Sequence, residues 1–276
     1  MTEKSFFLEA FDGRKMFFNQ WTGNTPAKAN LVLIHGMGEH SGRYRHFAEF
    51  FTKRGVNVYA VDLFGHGRTE GPKGHTPKID DYLWQVDFIV GMIRQLGQPL
   101  FIYGHSMGGG VVLNYLFKRN PRVAGVIVSA PSIEPGFVVP RSKLTLGRVG
   151  RKLFPSLTQR NGLDINGISR DAAVINAYQA DPLVHDVISA EVGMGVLEWG
   201  RWLVNLQRDA VAVSLLLMHG DEDTVTSYPA SEKFAAKFLS GDVTFKAWKG
   251  FFHELHNEPE KEEVFRYVLR WMMARL

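Results

Sequence analysis

A serine between glycines, in the pentapeptide Gly104-His105-Ser106-Met107-Gly108, is the strongest chemical signal in the sequence. The pentapeptide matches the G-x-S-x-G pattern, in which a sharp turn from a strand into a helix exposes the serine hydroxyl. Its neighbours supply that context, because Leu100–Tyr103 predicts a buried strand and Met107–Arg119 predicts a helix. Glycines two positions from the serine remove side chains that would clash at such a turn. We therefore predict that Ser106 is a nucleophile.

A serine hydroxyl needs a base to take its proton and an acid to orient that base. In proteins with this serine turn, the chain order is serine, acid, histidine. The carboxylates in the turn after the predicted strand Val213–Met218 are Asp221, Glu222 and Asp223. The histidines between the predicted strand Val243–Trp248 and the last predicted helix are His253 and His256. Both groups fall where the order requires, but spacing alone does not choose within either group.

The string His35-Gly36-Met37-Gly38 follows another predicted strand, Leu31–Ile34. In hydrolases of this kind, the negative oxygen formed during acyl transfer is bound by two backbone N–H groups. One belongs to the residue after the serine and the other to the loop after an early strand. This arrangement predicts an oxyanion hole made by the amides of Met107 and Met37.

These residues need a scaffold, and strands alternate with helices along most of the chain. The predicted strands are Ser5–Ala10, Lys15–Thr22, Leu31–Ile34, Val56–Val61, Leu100–Tyr103, Val123–Ala130, Val213–Met218 and Val243–Trp248. The predicted helices of the alternating part are Arg43–Arg54, Ile79–Leu96, Met107–Arg119, Ser227–Leu239 and Glu258–Met273. Such alternation predicts an α/β fold with a mostly parallel central sheet and helices on both faces.

One segment interrupts the alternation. Residues from about 132 to about 207 lack strand patterning, and helical spacing appears there only near Arg170–Gln179 and Val187–Leu206. We therefore predict a core formed by residues 1–131 and 208–276, with a helical insertion at 132–207, which we call the cap.

Composition narrows the function classes. The 276 residues include no cysteine, which excludes disulfides, thiolate metal sites and cysteine nucleophiles. The net charge is +4, but no basic stripe or nucleic-acid motif accompanies it, so nucleic-acid binding is not predicted. Residues 1–7 do not have the pattern of a signal peptide, and no apolar stretch is long enough to span a bilayer. We expect a cytoplasmic protein, and peripheral contact with membranes stays open.

Several strings together resemble the monoacylglycerol lipase and lysophospholipase branch of the α/β-hydrolase superfamily. The resemblance covers about residues 5–130 and 210–276. It is carried by His35-Gly36-Met37-Gly38-Glu39-His40-Ser41-Gly42-Arg43-Tyr44, Asp62-Leu63-Phe64-Gly65-His66-Gly67, Gly104-His105-Ser106-Met107-Gly108-Gly109, His219-Gly220-Asp221-Glu222-Asp223 and His253-Glu254-Leu255-His256-Asn257-Glu258. One departure is Arg68-Thr69, where relatives often carry a serine.

The resemblance implies an α/β-hydrolase fold with a cap over the active site, Asp223 as the catalytic acid and His253 as the base. It implies hydrolysis of lipid esters, of monoacylglycerols or lysophospholipids, through an acyl-enzyme, with no metal or organic cofactor. Short soluble esters are the alternative substrates, and no oligomeric state is predicted. Apolar cap residues are expected near an acyl tunnel or a lipid-facing lip, or else packed onto the core. They are Phe137, Val138, Val139, Leu144, Leu146, Leu153, Phe154 and Leu157.

Overall fold

The computed structural model describes all residues from 1 to 276 and contains ten strands. The strands are β1 (Thr2–Glu9), β2 (Lys15–Thr22), β3 (Ala29–Ile34), β4 (Val56–Val61), β5 (Leu100–His105), β6 (Gly125–Ser129), β7 (Thr158–Arg160), β8 (Val187–Ser189), β9 (Leu215–Gly220) and β10 (Val243–Trp248). Eight of them form one sheet in the order β1-β2-β4-β3-β5-β6-β9-β10, and β7 and β8 form a separate pair.

The chain also contains eight α-helices. They are α1 (Arg45–Thr52), α2 (Asp81–Arg94), α3 (Met107–Arg119), α4 (Arg141–Leu153), α5 (Ala172–Ala180), α6 (Ala190–Val204), α7 (Tyr228–Ala235) and α8 (Lys261–Met273). No helix is both long enough and apolar enough to cross a membrane.

The sheet is parallel from β4 to β10 and antiparallel only where β1 and β2 join it. The predicted fold class, a mostly parallel α/β-hydrolase sheet with helices, is confirmed. Because the strands are parallel, the carboxyl ends of β3, β5, β9 and β10 lie at one edge of the sheet. The segments that contain the predicted site residues Met37, Ser106, Asp223 and His253 each follow one of these four ends.

Burial explains why the central strands lack polar alternation. All residues of β3, β5, β6 and β9 are buried, as expected for parallel strands covered on both faces. Successive side chains of β3 enter opposite apolar layers: Val32 packs with α2 and α3, and Leu33 packs with α1 and α8. The sheet is therefore a rigid platform for the loops at its carboxyl edge.

The cap differs in three ways from the prediction. Residues 141–153, for which no element was predicted, form α4, whose pattern is amphipathic but interrupted by two glycines. The prediction of one helix over Val187–Leu206 is wrong at its start, because 187–189 form β8 and Ser189 then caps α6 through Val192 N–H. Short strand pairing with β7 also occurs where no strand was expected. The division of the chain into core and cap remains a prediction.

Candidate active site

Ser106 lies at the corner between β5 and α3. Its φ is 54° and its ψ is −119°, a backbone conformation that a residue with a side chain rarely adopts. The corner is held by hydrogen bonds on both sides: Ser106 N–H donates to the Ser129 carbonyl at 3.0 Å, and Ser132 N–H donates to the Ser106 carbonyl at 3.0 Å. These bonds fix the backbone of the corner, so the Ser106 side chain lies at the carboxyl edge of the sheet.

The glycines on either side of the corner are required by close packing. A Cβ on Gly108 would overlap the carbonyl oxygens of Ile34 and His35 at the end of β3. A Cβ on Gly104 would lie 2.6 Å from the Gly108 carbonyl oxygen and 2.8 Å from Val112 Cγ2. The strand and the helix therefore approach each other too closely for any residue other than glycine at positions 104 and 108.

Ser106, His253 and Asp223 form one hydrogen-bonded chain. His253 Nε2 lies 2.8 Å from Ser106 Oγ, and His253 Nδ1 lies 2.7 Å from Asp223 Oδ2. The Asp223 side chain is fully buried, and its other oxygen accepts the N–H groups of Val225 and Thr226 at 2.7 and 3.0 Å. The structure thus brings together the three predicted residues, and their catalytic roles remain a prediction.

The charge environment suits a base held by a permanent anion. Burial would raise the pKa of Asp223, but the charge of His253 and the hydrogen bonds from His219 and His253 hold it well below its usual range. Burial would lower the pKa of His253, but the charge of Asp223 and its hydrogen bond raise it above its ordinary value. Asp223 is therefore ionised whenever His253 changes its protonation state.

The other candidate acids and histidine are not part of the hydrogen-bonded chain from Ser106 to Asp223. Asp221 and Glu222 are exposed, and Asp221 Oδ1 accepts Gly250 N–H at 2.5 Å. His256 is buried against the ring of Tyr44, 4.4 Å away between centroids, and neither of its ring nitrogens has a hydrogen-bond partner. Burial lowers the pKa of His256 far below its ordinary value, so it stays neutral.

The two amides predicted for the oxyanion hole belong to segments that flank Ser106. Met107 is the first residue of α3, where N–H groups have no acceptor within the helix and the helix dipole favours negative charge. A Cβ on Gly36 would lie 3.1 Å from Ser106 Cβ, so the loop that contains Met37 runs directly beside the serine. The role of the two amides remains a prediction.

A buried ion cluster links that loop to the histidine loop. Glu39 Oε1 accepts Gly36 N–H at 2.6 Å, and Arg43 Nη1 contacts Glu39 Oε2 at 2.6 Å. Arg43 also contacts both carboxylate oxygens of Glu254 at 2.7 Å, next to His253. Burial would raise the pKa of Glu254, but the charge and hydrogen bonds of Arg43 lower it to about 2. The arginine therefore fixes the distance between the two loops that flank Ser106.

The cap touches the same loops through its backbone and through charged groups. His185 N–H donates to the Gly38 carbonyl at 2.9 Å, and His253 N–H donates to the Gly167 carbonyl at 3.3 Å. His40 Nε2 lies 2.9 Å from Asp181 Oδ2. The cap is thus joined to both sides of the site.

The apolar cap residues do not pack onto the core as a group. Three of them, Phe137, Val139 and Leu144, line a cavity of about 320 Å³ together with Ile133 and residues of α6. Phe137 and the five others are exposed, whereas Val139 and Leu144 are half-buried. The five are Val138, Leu146, Leu153, Phe154 and Leu157.

Known proteins agree with the fold and the strings around the site. The family model described as serine aminopeptidase, S33, matches residues 25–260. The chain therefore belongs to this serine hydrolase family. The predicted resemblance to the monoacylglycerol lipase branch is confirmed, and so is the predicted enzyme class, a carboxylic ester hydrolase.

Individual relatives match most of the chain. A monoacylglycerol lipase of Mycolicibacterium smegmatis is 32% identical over 96% of this chain and 95% of its own length. The crystal structure of a Paleococcus ferrophilus monoacylglycerol lipase has a TM-score of 0.86 and 32% identity, covering 95% of this chain and 99% of that one. An uncharacterized abhydrolase domain-containing protein of Dictyostelium discoideum is 37% identical over the whole chain, which spans 30% of that protein's length.

Sequence reasoning gave no role to the ion cluster of Glu39, Arg43 and Glu254. All three residues stand in the strings that carry the family resemblance. The structure identifies the cluster by burial. Glu39 and Glu254 are almost fully buried, and charged side chains are rarely buried unless they are paired. Pairing across 211 positions could not be deduced from spacing along the chain.

Proposed function

We propose that the chain hydrolyses esters of single fatty acyl chains, monoacylglycerols foremost, through an acyl-enzyme on Ser106. The observation that carries the proposal is the continuous hydrogen-bonded chain from Ser106 Oγ through His253 to Asp223, with distances of 2.8 and 2.7 Å. The names of the relatives support the choice of lipid substrate.

In the first step, His253 Nε2 accepts the Ser106 proton while Oγ attacks the ester carbonyl carbon. The amides of Met37 and Met107 donate hydrogen bonds to the resulting oxyanion. The imidazolium gives its proton to the departing alcohol, which leaves an acyl-enzyme. Water then attacks with the same proton transfers and releases the fatty acid. Throughout, Asp223 orients His253 and stabilises its charged form.

Mostly apolar side chains lie beside the serine corner and beyond it. A gap too narrow to hold a water molecule lies next to the serine corner, and its lining residues are Met107, Gly110, Val111, Ser132, Val196 and Trp199. The larger cavity begins at Ile133, one residue beyond Ser132, which donates to the Ser106 carbonyl. Apolar lining of this kind favours an aliphatic tail over a short soluble ester.

The test is a panel of monoacylglycerols, lysophospholipids and p-nitrophenyl esters of increasing length, with Ser106→Ala and the exposed-serine control Ser240→Ala. We expect Ser106→Ala to lose more than about 10³-fold of the hydrolysis rate and all labelling by a fluorophosphonate, while Ser240→Ala behaves as wild type. A Ser106→Ala protein that keeps most of its rate would contradict the mechanism. A preference for the shortest esters would contradict the substrate.

A second part of the proposal concerns membranes. The cap, residues 132–207, presents α4 to solvent with no buried residue, and the helix has five basic and no acidic side chains. Its exposed apolar residues Leu146, Val149 and Leu153 continue into Phe154 and Leu157 beyond the helix. An exposed amphipathic helix of this charge fits the surface of an anionic lipid bilayer. We propose that α4 rests on such a surface, from which the substrate enters.

A further inference from the structure

A second histidine contacts the carboxylate of Asp223. His219 belongs to β9, its side chain is fully buried, and its Nε2 lies 2.9 Å from Asp223 Oδ2. The same carboxylate oxygen lies 2.7 Å from His253 Nδ1. The acyl-transfer steps leave His219 unused, although it touches the same oxygen as the base.

The protonation of His219 follows from its partners. A carboxylate only accepts hydrogen bonds, so His219 Nε2 must carry a proton. In the neutral ring, Nδ1 is then an acceptor, and the hydroxyl of Ser231 on α7, 2.8 Å away, donates to it. Ser231 and His219 are both buried with no exposed surface, so water does not compete for these bonds.

We infer that His219 is a positioning residue that fixes the Asp223 carboxylate and, through it, the orientation of His253. The inference rests on the proposed function. Backbone N–H groups of the turn hold Asp223 Oδ1, whereas Oδ2 has only side-chain donors: His219, His253 and the hydroxyl of Thr226 at 3.0 Å. Without His219, Oδ2 keeps only the Thr226 hydroxyl and the histidine that it is supposed to orient.

The same bond sets the basicity of His253. The His219 N–H places a partial positive charge beside Asp223 Oδ2, the oxygen that stabilises the His253 imidazolium. This partial charge weakens that stabilisation and so disfavours the charged form of His253. Removing the donor should raise the pKa of His253 further. Because only neutral His253 can accept the serine proton, the acid side of the rate profile should move to higher pH. The other ionisable groups near these two rings are Glu39, Glu254, His105 and His256 around His253 and Tyr228 beside His219.

The experiment compares wild type, His219→Leu and His219→Gln in the full chain. Leucine removes the donor, and glutamine keeps a side-chain N–H of similar reach. The measurement is kcat/KM for p-nitrophenyl butyrate between about pH 5 and about pH 9, divided by the active-site concentration from fluorophosphonate titration. For His219→Leu we expect the acid-side midpoint to rise by about half a pH unit or more and kcat to fall about tenfold, with KM changed less than about twofold. His219→Gln should restore most of both.

If the role of His219 were merely structural, His219→Leu would lower the concentration of active sites that fluorophosphonate labels. The acid-side midpoint of the kcat/KM profile would not move. An unmoved midpoint in His219→Leu, or the same loss in His219→Gln, overturns the inference. If His219→Leu does not fold, the profile is measured on Ser231→Ala, which leaves Nδ1 without its donor; we expect a smaller rise of the same sign, and no rise overturns the inference. If the Ser106→Ala protein hydrolyses the ester as fast as wild type, the proposed function is overturned instead. The two failures are therefore distinguishable.

Discussion

Arg43 and Arg151 each bridge two glutamates, the first beneath the candidate active site and the second on the cap. Arg43 joins Glu39 and Glu254, and its side chain is 9% exposed. Arg151 on α4 joins Glu191 and Glu198 on α6, and its side chain is 26% exposed, with Glu198 at 49%. The two clusters have similar chemistry, but both glutamates of the Arg43 cluster are buried, whereas the Arg151 cluster pairs the buried Glu191 with the exposed Glu198.

The difference separates a fixed part of the site from an adjustable one. In the core, water is excluded, so the cluster is strong only when complete and both loops beside Ser106 must keep their places. On the cap, water and salt screen Arg151 and Glu198, so this cluster should hold α4 on α6 less strongly. We infer that the geometry of the candidate site depends more on the Arg43 cluster than on the Arg151 cluster.

Arg43→Met should break this comparison most severely. Two buried carboxylates would lose their counter-charge, so we expect the free energy of unfolding to fall by about 3–5 kcal/mol, measured by urea denaturation. Hydrolysis should fall with it, because Gly36 and His253 lose their common anchor. A loss below about 1 kcal/mol would mean that the cluster does not hold the loops.

A smaller effect is expected on the exposed face of α4. The double variant Leu146→Ser/Leu153→Ser should lose about tenfold in hydrolysis of monoacylglycerol presented in anionic vesicles, because less apolar surface enters the lipid. Its rate on a soluble p-nitrophenyl ester should not change. The control is Leu239→Ser, a leucine of the core that is 89% exposed, against 69% for Leu146 and 60% for Leu153. Equal losses in both proteins, or a loss on the soluble ester, would argue against membrane contact.

The core and the cap also differ in how far the sequence predicts them. Strands such as β3 and β5 and the turn at Ser106 are predictable because close packing leaves few residues that fit. In the cap, the sequence does not predict α4, because no core demands its pattern, and it predicts a helix where residues 187–189 form β8. Local patterns identified His253 and Asp223 only as members of small groups, because the contacts that distinguish them join distant parts of the chain. The contact between His219 and Asp223 is only four positions long, yet its role depends on a third residue thirty positions beyond Asp223.

The smallest effect should come from Arg151→Met, the cap counterpart of Arg43→Met. Methionine keeps most of the apolar stem, so the change removes mainly screened charge, and we expect a loss of about 0.5 kcal/mol in the free energy of unfolding. Repeating both denaturation curves in about 1 M NaCl sharpens the contrast, since salt shortens the range of exposed charges to about 3 Å. There the Arg151→Met deficit should nearly vanish while the Arg43→Met deficit persists. If the two deficits respond equally to salt, burial is not what separates the clusters, and the cap is held as firmly as the core.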